Sequence, residues 1–329
     1  MDITNSRVLI TGGAGFIGSH LADQLLSLGC RVTVLDNFDA FYPGKEENFK
    51  QNIHNPHYRL IRGDILNERT LKDATKGVEV VFHQAAQAGV KFCIENPLKA
   101  NEVNVLGSLM VFLAAKEARA KKLVYASSSS VYGVPKKVPL TEDHPTNPTS
   151  IYGATKLAAE KYSQAIAQTG GVPATSLRYF SVYGPRGRPD QVIHAFAAKV
   201  SQGERPVIYG DGTQTRDFTF VSDVVTAAIF AAESEECEGE VLNIGYGKEV
   251  SIAEVAERVI LRMRSDLTPV FKPAYAGDFP RTLCGNEKAR RMLRWKPLVG
   301  LDEGLPKFLE WYESRGTTQE HSPKSRARA

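Results

Sequence analysis

Up to Phe180 the chain alternates short apolar runs with stretches whose apolar residues recur at helical spacing. Arg7–Thr11 (RVLIT) is a β-branched run ended by glycines, and residues 16–28 then carry a helical pattern. Strand-like runs recur at RVTVLD (31–36), YRLIRGD (58–64), VEVVFHQ (78–84), KLVYASS (122–128) and ATSLRYF (174–180). Helical stretches such as 98–120 and 152–169 separate most of them. Apolar strands alternating with helices predict an α/β fold, a doubly wound parallel sheet covered on both faces. Such sheets bind ligands at the carboxyl ends of their strands, where the strand order reverses.

After Phe180 the rhythm changes. Loops lengthen (YGPRGRPDQ, YGDGTQTRD) and short strand–helix pieces lead to a last helix near 305–313. This pattern divides the chain into a sheet domain over 1–180, a smaller, partly interleaved ligand-binding lobe over 181–316, and a disordered tail over 317–329. VLNIG (241–245) fits either the lobe or a return to the large sheet.

Composition narrows the function. The 329 residues are 42% hydrophobic and 24% charged with a net charge of +4, so no polyanion-binding surface and no nucleic-acid partner are expected. Part of the excess sits in the tail, where Lys324, Arg326 and Arg328 follow a proline without apolar partners, the composition of a disordered end. Cys30, Cys93, Cys237 and Cys284 are far apart with no CxxC or Cys/His spacing, which predicts reduced thiols in a cytoplasmic protein and no metal. No apolar run approaches membrane-spanning length, and MDITNSRVLITG opens as a strand rather than a signal peptide.

TGGAGFIGSH (11–20) places Gly12, Gly15 and Gly18 between the first strand and the first helix. Gly12 permits the tight turn, Gly15 lets backbone N–H groups approach a pyrophosphate, and Gly18 lets helix and sheet pack closely. A bare glycine triplet is weak evidence. Here it follows a strand, opens a helix, and precedes an acidic residue, Asp36, at the end of the second strand. A carboxylate there accepts from ribose hydroxyls and repels a 2′-phosphate, so the motif predicts a Rossmann site for NAD rather than NADP. Asp64 suits the adenine edge and equally a simple turn. Ala85 and Ala86 are small enough for a ribose and pyrophosphate to lie against the fourth strand. Phe16, Ile17, Asn37 and Ile65 complete the candidate cofactor contacts.

YASSSSVYG (125–133) puts four serines at the carboxyl end of the fifth strand, beside the predicted cofactor crevice. Tyr152 and Lys156 of IYGATK share one helical face by their spacing. Together they read as a proton device. A nearby ammonium and a positive nicotinamide ring lower the phenol's pKa, and the phenolate takes a proton from a substrate hydroxyl.

With these motifs in hand, the chain resembles the extended short-chain dehydrogenase/reductases, specifically the nucleotide-sugar epimerases and dehydratases, over residues 6–313. The resemblance rests on TGGAGFIGS, Asp36, SSSSVYG, YGATK, LRYF-x-VYGP and RDFTFVSD. It implies Tyr152 as general base, Lys156 as its modulator and ribose ligand, and Ser128, four residues before Tyr132, as the helping hydroxyl. Asn104 is implied to be structural. Relatives that eliminate water carry Asp-Glu before VYG, and decarboxylating relatives carry Glu in the second of those positions. Ser129 and Ser130 stand there instead, which points to the simplest cycle: oxidise C4, rotate the keto-sugar, return the hydride to its other face.

VYGPRGRPDQVIH (182–194) looks like the corresponding segment of UDP-glucuronate 4-epimerases, in which the second arginine, here Arg188, grips the C6 carboxylate. Two arginines in one turn suit bidentate carboxylate binding; the bland reading has Arg186 and Arg188 bind only the diphosphate or Asp190. Ser181 fits an acidic sugar, since relatives acting on neutral hexoses usually carry Asn there. Arg216 resembles the family's diphosphate and uridine-ribose ligand and Asp278 its ribose acceptor, while the arginine usual before that Asp is absent, leaving Arg281, which follows it, as the candidate substitute. Lys91 and Ser129 join the candidate substrate contacts; His83, Tyr183 and His194 are weaker. A 4-epimerase of neutral UDP-hexoses and a non-catalytic NAD sensor are the competing readings. The family resemblance also implies a homodimer paired through helices 98–120 and 152–169.

Overall fold

The computed structural model describes residues 1–41, 43–264, 266–274 and 279–319. Seven strands form one parallel sheet: β1 (Arg7–Thr11), β2 (Arg31–Asp36), β3 (Tyr58–Arg62), β4 (Val80–His83), β5 (Lys122–Ser128), β6 (Ala174–Tyr179) and, from much later in the chain, Val241–Ile244. Their order is β3-β2-β1-β4-β5-β6 with Val241–Ile244 at the edge, so the winding reverses between β1 and β4. The 241–245 segment therefore returns to the large sheet.

Helices α1 (Phe16–Ser27), α2 (Glu68–Ala74), α3 (Val90–Glu95), α4 (Pro97–Asn101), α5 (Ser108–Glu117) and α6 (Ile151–Gln168) connect these strands. Successive strand residues point to opposite faces, and both faces are buried. Val8 and Ile10 of β1 join Val32, Val34, Phe82 and Val124 in one core, under α1 and Val221–Glu233. Leu9, between them, joins Leu35, Val81, Leu123 and Tyr125 in the other, under α2, α5 and α6.

The predicted single helix over 98–120 is divided. α4 and α5 are joined by a π-helical turn, Glu102–Gly107. The π turn admits one extra residue, a feature frequent at functional sites. The inserted geometry brings Asn104 onto the Gln87 backbone, accepting from its N–H at 2.7 Å and donating to its C=O at 3.0 Å, and onto the Thr155 hydroxyl at 3.0 Å. The expectation about membrane-length apolar runs also needs correcting: by length and composition Pro97–Glu117 would suffice to cross a membrane. In the fold, its Ala100, Val103, Val111, Phe112 and Ala115 are buried, the last four in the core beneath the sheet.

Beyond β6 the chain builds a second layer. Val192–Ser201 packs on Ile252–Met263, and Thr215–Asp217 pairs antiparallel with Glu249–Ser251. The last helix is longer than the sequence suggested, Leu301–Gln319, so positions 317–319 are helical; Lys324, Arg326 and Arg328 lie outside the described residues.

Candidate active site

A cleft of ≈ 340 Å³ opens at the carboxyl ends of β1, β2, β4, β5 and β6, and most predicted site residues line it. Its floor is the glycine turn. Gly12 has a left-handed φ of 71°, and a Cβ there would sit 2.7 Å from the Ala85 backbone. A Cβ on Gly18 would collide with the Gly12 carbonyl oxygen. Gly15 caps α1, and Gly15, Phe16, Ile17 and Gly18 present the helix N-terminus to the cleft. Free N–H groups and the positive end of a twelve-residue helix suit a pyrophosphate.

Asp36 is buried at the end of β2. One carboxylate oxygen accepts from the Ala14 N–H at 3.1 Å and the other from the Phe38 N–H at 2.9 Å, with Lys45 Nζ at 3.4 Å. Asn37 donates to Asp64 at 2.8 Å, and Asn37, Asp64, Ile65, Ala85 and Ala86 all line the cleft. These residues fit a dinucleotide: a tight glycine cradle for phosphates, a fixed carboxylate for a ribose, and small side chains where the backbone must be approached.

The proton device assembles at the other end. Ser150 caps α6 by accepting from the Gly153 N–H at 3.1 Å, which starts the helix one residue before Tyr152. Tyr152, Lys156, Ser128, Ser129 and Ser130 line the cleft. The serine run divides its labour. Ser127 donates inward to Glu160 at 2.7 Å, and Ser128 Oγ caps the turn Ser129–Tyr132 by accepting from the Ser130 N–H at 3.1 Å.

The electrostatics differ from the expectation in one respect. Burial pushes the Tyr152 phenol above its ordinary value; Arg188 and then the Ser128 hydroxyl pull it down, while Cys93 and Asp190 push it up. In the protein alone, the neighbouring charge that most favours phenolate is Arg188. Burial also pushes Lys156 down to about 7, with Cys93 and Glu160 opposing. Its Nζ lies 4.7 Å from the centre of the Tyr125 ring. In the protein alone, desolvation outweighs the neighbouring charges for both groups.

The sugar-side candidates separate. Ser181 and Arg188 line the cleft. Arg188 is held by its turn: its N–H donates to Gln191 Oε1 at 3.0 Å, and Gln191 Nε2 donates to the Val182 carbonyl at 3.0 Å. Its guanidinium makes a bidentate pair with Asp190, Nε–Oδ1 2.9 Å and Nη2–Oδ2 3.0 Å, and lies 5.9 Å from the Phe41 ring centre. Arg186, with φ 63°, turns the other way and pairs with Asp23 of α1 at 2.7 Å. Lys91 is 80% exposed and lies 3.9 Å from Glu95. Arg216 donates to the Thr215 carbonyl at 2.7 Å, from a strand that does not line the cleft. Arg281 is engaged with Glu249. Asp278 lies outside the described residues.

The weaker candidates have structural partners. His83 is buried between Thr11 Oγ1 at 2.6 Å and Ser108 Oγ at 2.8 Å, and burial pushes it down to about 3, so it is a neutral core histidine. His194 meets the Gly187 carbonyl at 2.8 Å, and Tyr183 donates to the Gly300 carbonyl at 3.2 Å. Sequence reasoning missed Phe41, Lys45, Gln84, Gln87, Tyr179 and Gln191 as lining residues. Most sit in loops without periodic signal; Tyr179 ends β6 and Gln84 follows β4, so both were accessible to the carboxyl-end rule.

A parallel sheet with its winding reversal at β1 and β4, a glycine cradle and a Tyr–Lys–Ser group at one cleft define an NAD-linked enzyme of the extended short-chain dehydrogenase/reductase type. The chain belongs to the NAD dependent epimerase/dehydratase family, whose model matches residues 8–245. It is 36% identical to a putative UDP-glucose 4-epimerase of Methanocaldococcus jannaschii, over 94% of this chain and 100% of that one. It is 32% identical to a probable UDP-glucuronate 4-epimerase of Rhizobium meliloti, over 93% and 97%. Among solved structures, the UDP-glucuronic acid 4-epimerase from Bacillus cereus in complex with UDP-glucuronic acid and NAD superposes with a TM-score of 0.87 at 32% identity, covering 94% of this chain and 99% of that one. The cofactor is NAD.

Proposed function

We propose that the protein is a UDP-glucuronate 4-epimerase, interconverting UDP-glucuronate and UDP-galacturonate. The observation that carries the reading is that Arg188 lines the same cleft as Tyr152 and Ser128. The C6 carboxylate is borne on C5, next to the carbon whose hydroxyl Tyr152 would deprotonate. A guanidinium in that neighbourhood meets a uronate carboxylate, where a charge-assisted pair has both strength and geometry.

NAD, when bound, supplies hydride acceptance and return at C4. Tyr152 takes the C4 hydroxyl proton and gives it back, and Ser128 donates to the same oxygen as it becomes carbonyl-like. Lys156 lies one helical turn behind the phenol, where its ammonium form adds positive charge. Ser129 and Ser130 line the cleft where water elimination would need carboxylates, which supports epimerisation without loss of water. We assign sugar binding to the chain after Phe180, apart from Val241–Ile244. Leu98, Leu106, Leu113 and Tyr162 are exposed on α4, the π turn, α5 and α6, and we read this face as a homodimer contact. Four free buried cysteines support a cytoplasmic setting.

A second reading, a neutral-hexose 4-epimerase, is favoured by one observation: Asp190 already occupies the Arg188 fork. Incubating the purified protein without added cofactor, separately with UDP-glucuronate and UDP-glucose, and analysing the sugars decides between them. Formation of UDP-galacturonate is expected. Turnover of UDP-glucose alone would establish the second reading, and turnover of neither would leave a nucleotide-binding protein without epimerase activity.

A further inference from the structure

Tyr152 and Lys156 have a third companion on the buried face of α6. Glu160 follows Lys156 by one more helical turn and is 0% exposed; Lys156 is 2% exposed. The Glu160 carboxylate accepts from Ser127 Oγ at 2.7 Å, Arg178 Nε at 3.0 Å and Arg178 Nη2 at 2.6 Å. Both donors come from the sheet: Ser127 on β5 and Arg178 on β6 are register partners. Ser128, the residue after Ser127, is the helping hydroxyl.

The network continues across the sheet. Arg178 Nη1 donates to the Tyr132 hydroxyl at 2.8 Å, and Tyr132 donates to Asn243 Oδ1 at 2.6 Å, on the edge strand. Asn243 Nδ2 donates to the Leu140 carbonyl at 2.9 Å and to the Gly285 carbonyl at 3.2 Å. A chain of satisfied polar groups thus runs from the catalytic helix, under the serine turn, to Leu140 in the loop before α6 and to Gly285 beyond β6.

An ion pair this deeply buried is an expensive way to stabilise a core, since apolar replacements of similar volume are often neutral or stabilising. Its placement supplies a different reason. We propose that Glu160, held by Arg178, is a positioning residue of the proton device: it fixes the Ser127–Ser128 strand end against α6 and presents negative charge to the Lys156 ammonium. The inference rests on Tyr152, Lys156 and Ser128 forming that device.

The groups facing Lys156 come from four elements: Tyr152 and Glu160 on α6, Tyr125 on β5, His83 on β4 and Cys93 on α3. His83 is neutral and the Cys93 thiol is raised to about 11 by burial, so near neutral pH Glu160 is the anionic neighbour that favours the ammonium. Removing its charge lets Lys156 lose its proton at lower pH.

The test uses the enzyme as purified, with its nucleotide, and measures kcat against pH. Glu160→Gln should lower kcat and move the alkaline limb to lower pH. Because that substitution strands the Arg178 charge and risks misfolding, the deciding variant is the double Glu160→Gln, Arg178→Met, which removes both charges at similar volume. Its thermal unfolding is measured to establish that it is folded, and it should still show the displaced alkaline limb. Ser127→Ala, which keeps both charges, should lose roughly tenfold in kcat with the limb unmoved. A double variant whose kcat and pH profile superimpose on wild type would overturn the proposal, as would full activity in Ser127→Ala. Tyr152→Phe and Lys156→Met are measured alongside: retained activity there would overturn the proton device itself, and loss there with an unchanged double variant would overturn the role of Glu160 alone.

Discussion

The cofactor half of the cleft and its sugar half are built by different means. On the cofactor side, Gly12, Gly15, Gly18, Asp36, Asp64, Ala85 and Ala86 all line one cleft. On the sugar side, among the described candidates, only Ser128, Ser129, Ser181 and Arg188 do, while Arg186 pairs with Asp23, Lys91 points to solvent beside Glu95, and Arg216 bonds a backbone carbonyl. The first half is made from backbone at strand ends. The second is made from long side chains that choose among several partners.

Removing the hydroxyl that both halves serve should do most damage. Tyr152→Phe is expected to reduce kcat by roughly two to four orders of magnitude while the nucleotide remains bound. Turnover within a few-fold of wild type would dissolve the distinction between proton device and scaffold. Gly18→Ala strikes the backbone half, because its Cβ meets the Gly12 carbonyl oxygen. Most of that protein should emerge from purification without NAD, read by nucleotide release on denaturation; full retention would show that the cradle yields.

Lys156 sharpens the comparison through stability. Burial holds its folded pKa near about 7, against 10.5 as an ordinary lysine. Between those values the unfolded chain binds the extra proton, so folding gains stability as pH rises through that window. Below about 7 both states are charged and the full penalty applies. In nucleotide-free protein, Lys156→Met should therefore be more stable than wild type near pH 7, on the order of a few kcal/mol, with the advantage vanishing towards pH 10. Urea unfolding at several pH values checks this, and a constant difference would contradict it. The smallest effects belong to the dispersed candidates. Arg186→Ala and Lys91→Ala should change kcat/KM for either sugar by less than about threefold, since each loses only a partly or fully exposed ion pair. A tenfold loss would return them to the site.

The same contrast explains what was legible beforehand. Each fully buried Val, Leu or Ile contributes roughly 1.5–3 kcal/mol, so strands buried almost throughout, such as RVLIT and KLVYASS, could sit only in a sheet covered on both faces. The glycine cradle was legible because its constraint is local: left-handed φ at Gly12 and no room for a side chain at Gly18. Surface ion pairs are worth about 0–1 kcal/mol, too little for neighbouring sequence to dictate where an arginine points. Arg186 and Arg188 stand two apart in one turn, yet one turns to α1 and the other to the cleft because Asp23 and Asp190 lie in those directions. The π turn at Asn104 was hidden for a similar reason, its partners Gln87 and Thr155 being distant in sequence. Glu160 was within reach one turn after Lys156, but its partner Arg178 is set by strand pairing.

Arg188 is where the two halves meet, and it carries the substrate assignment. A guanidinium–carboxylate bond worth about 1.5–3 kcal/mol corresponds to roughly 10- to 150-fold in specificity. The measurement is kcat/KM for UDP-glucuronate and for UDP-glucose, in wild type and in Arg188→Ala. The account predicts that the acidic sugar is preferred by wild type and that its kcat/KM falls by that factor in the variant, with any UDP-glucose turnover little changed. If both values fall in parallel, or if wild type prefers UDP-glucose, Arg188 serves Asp190 or the diphosphate and the uronate assignment is wrong.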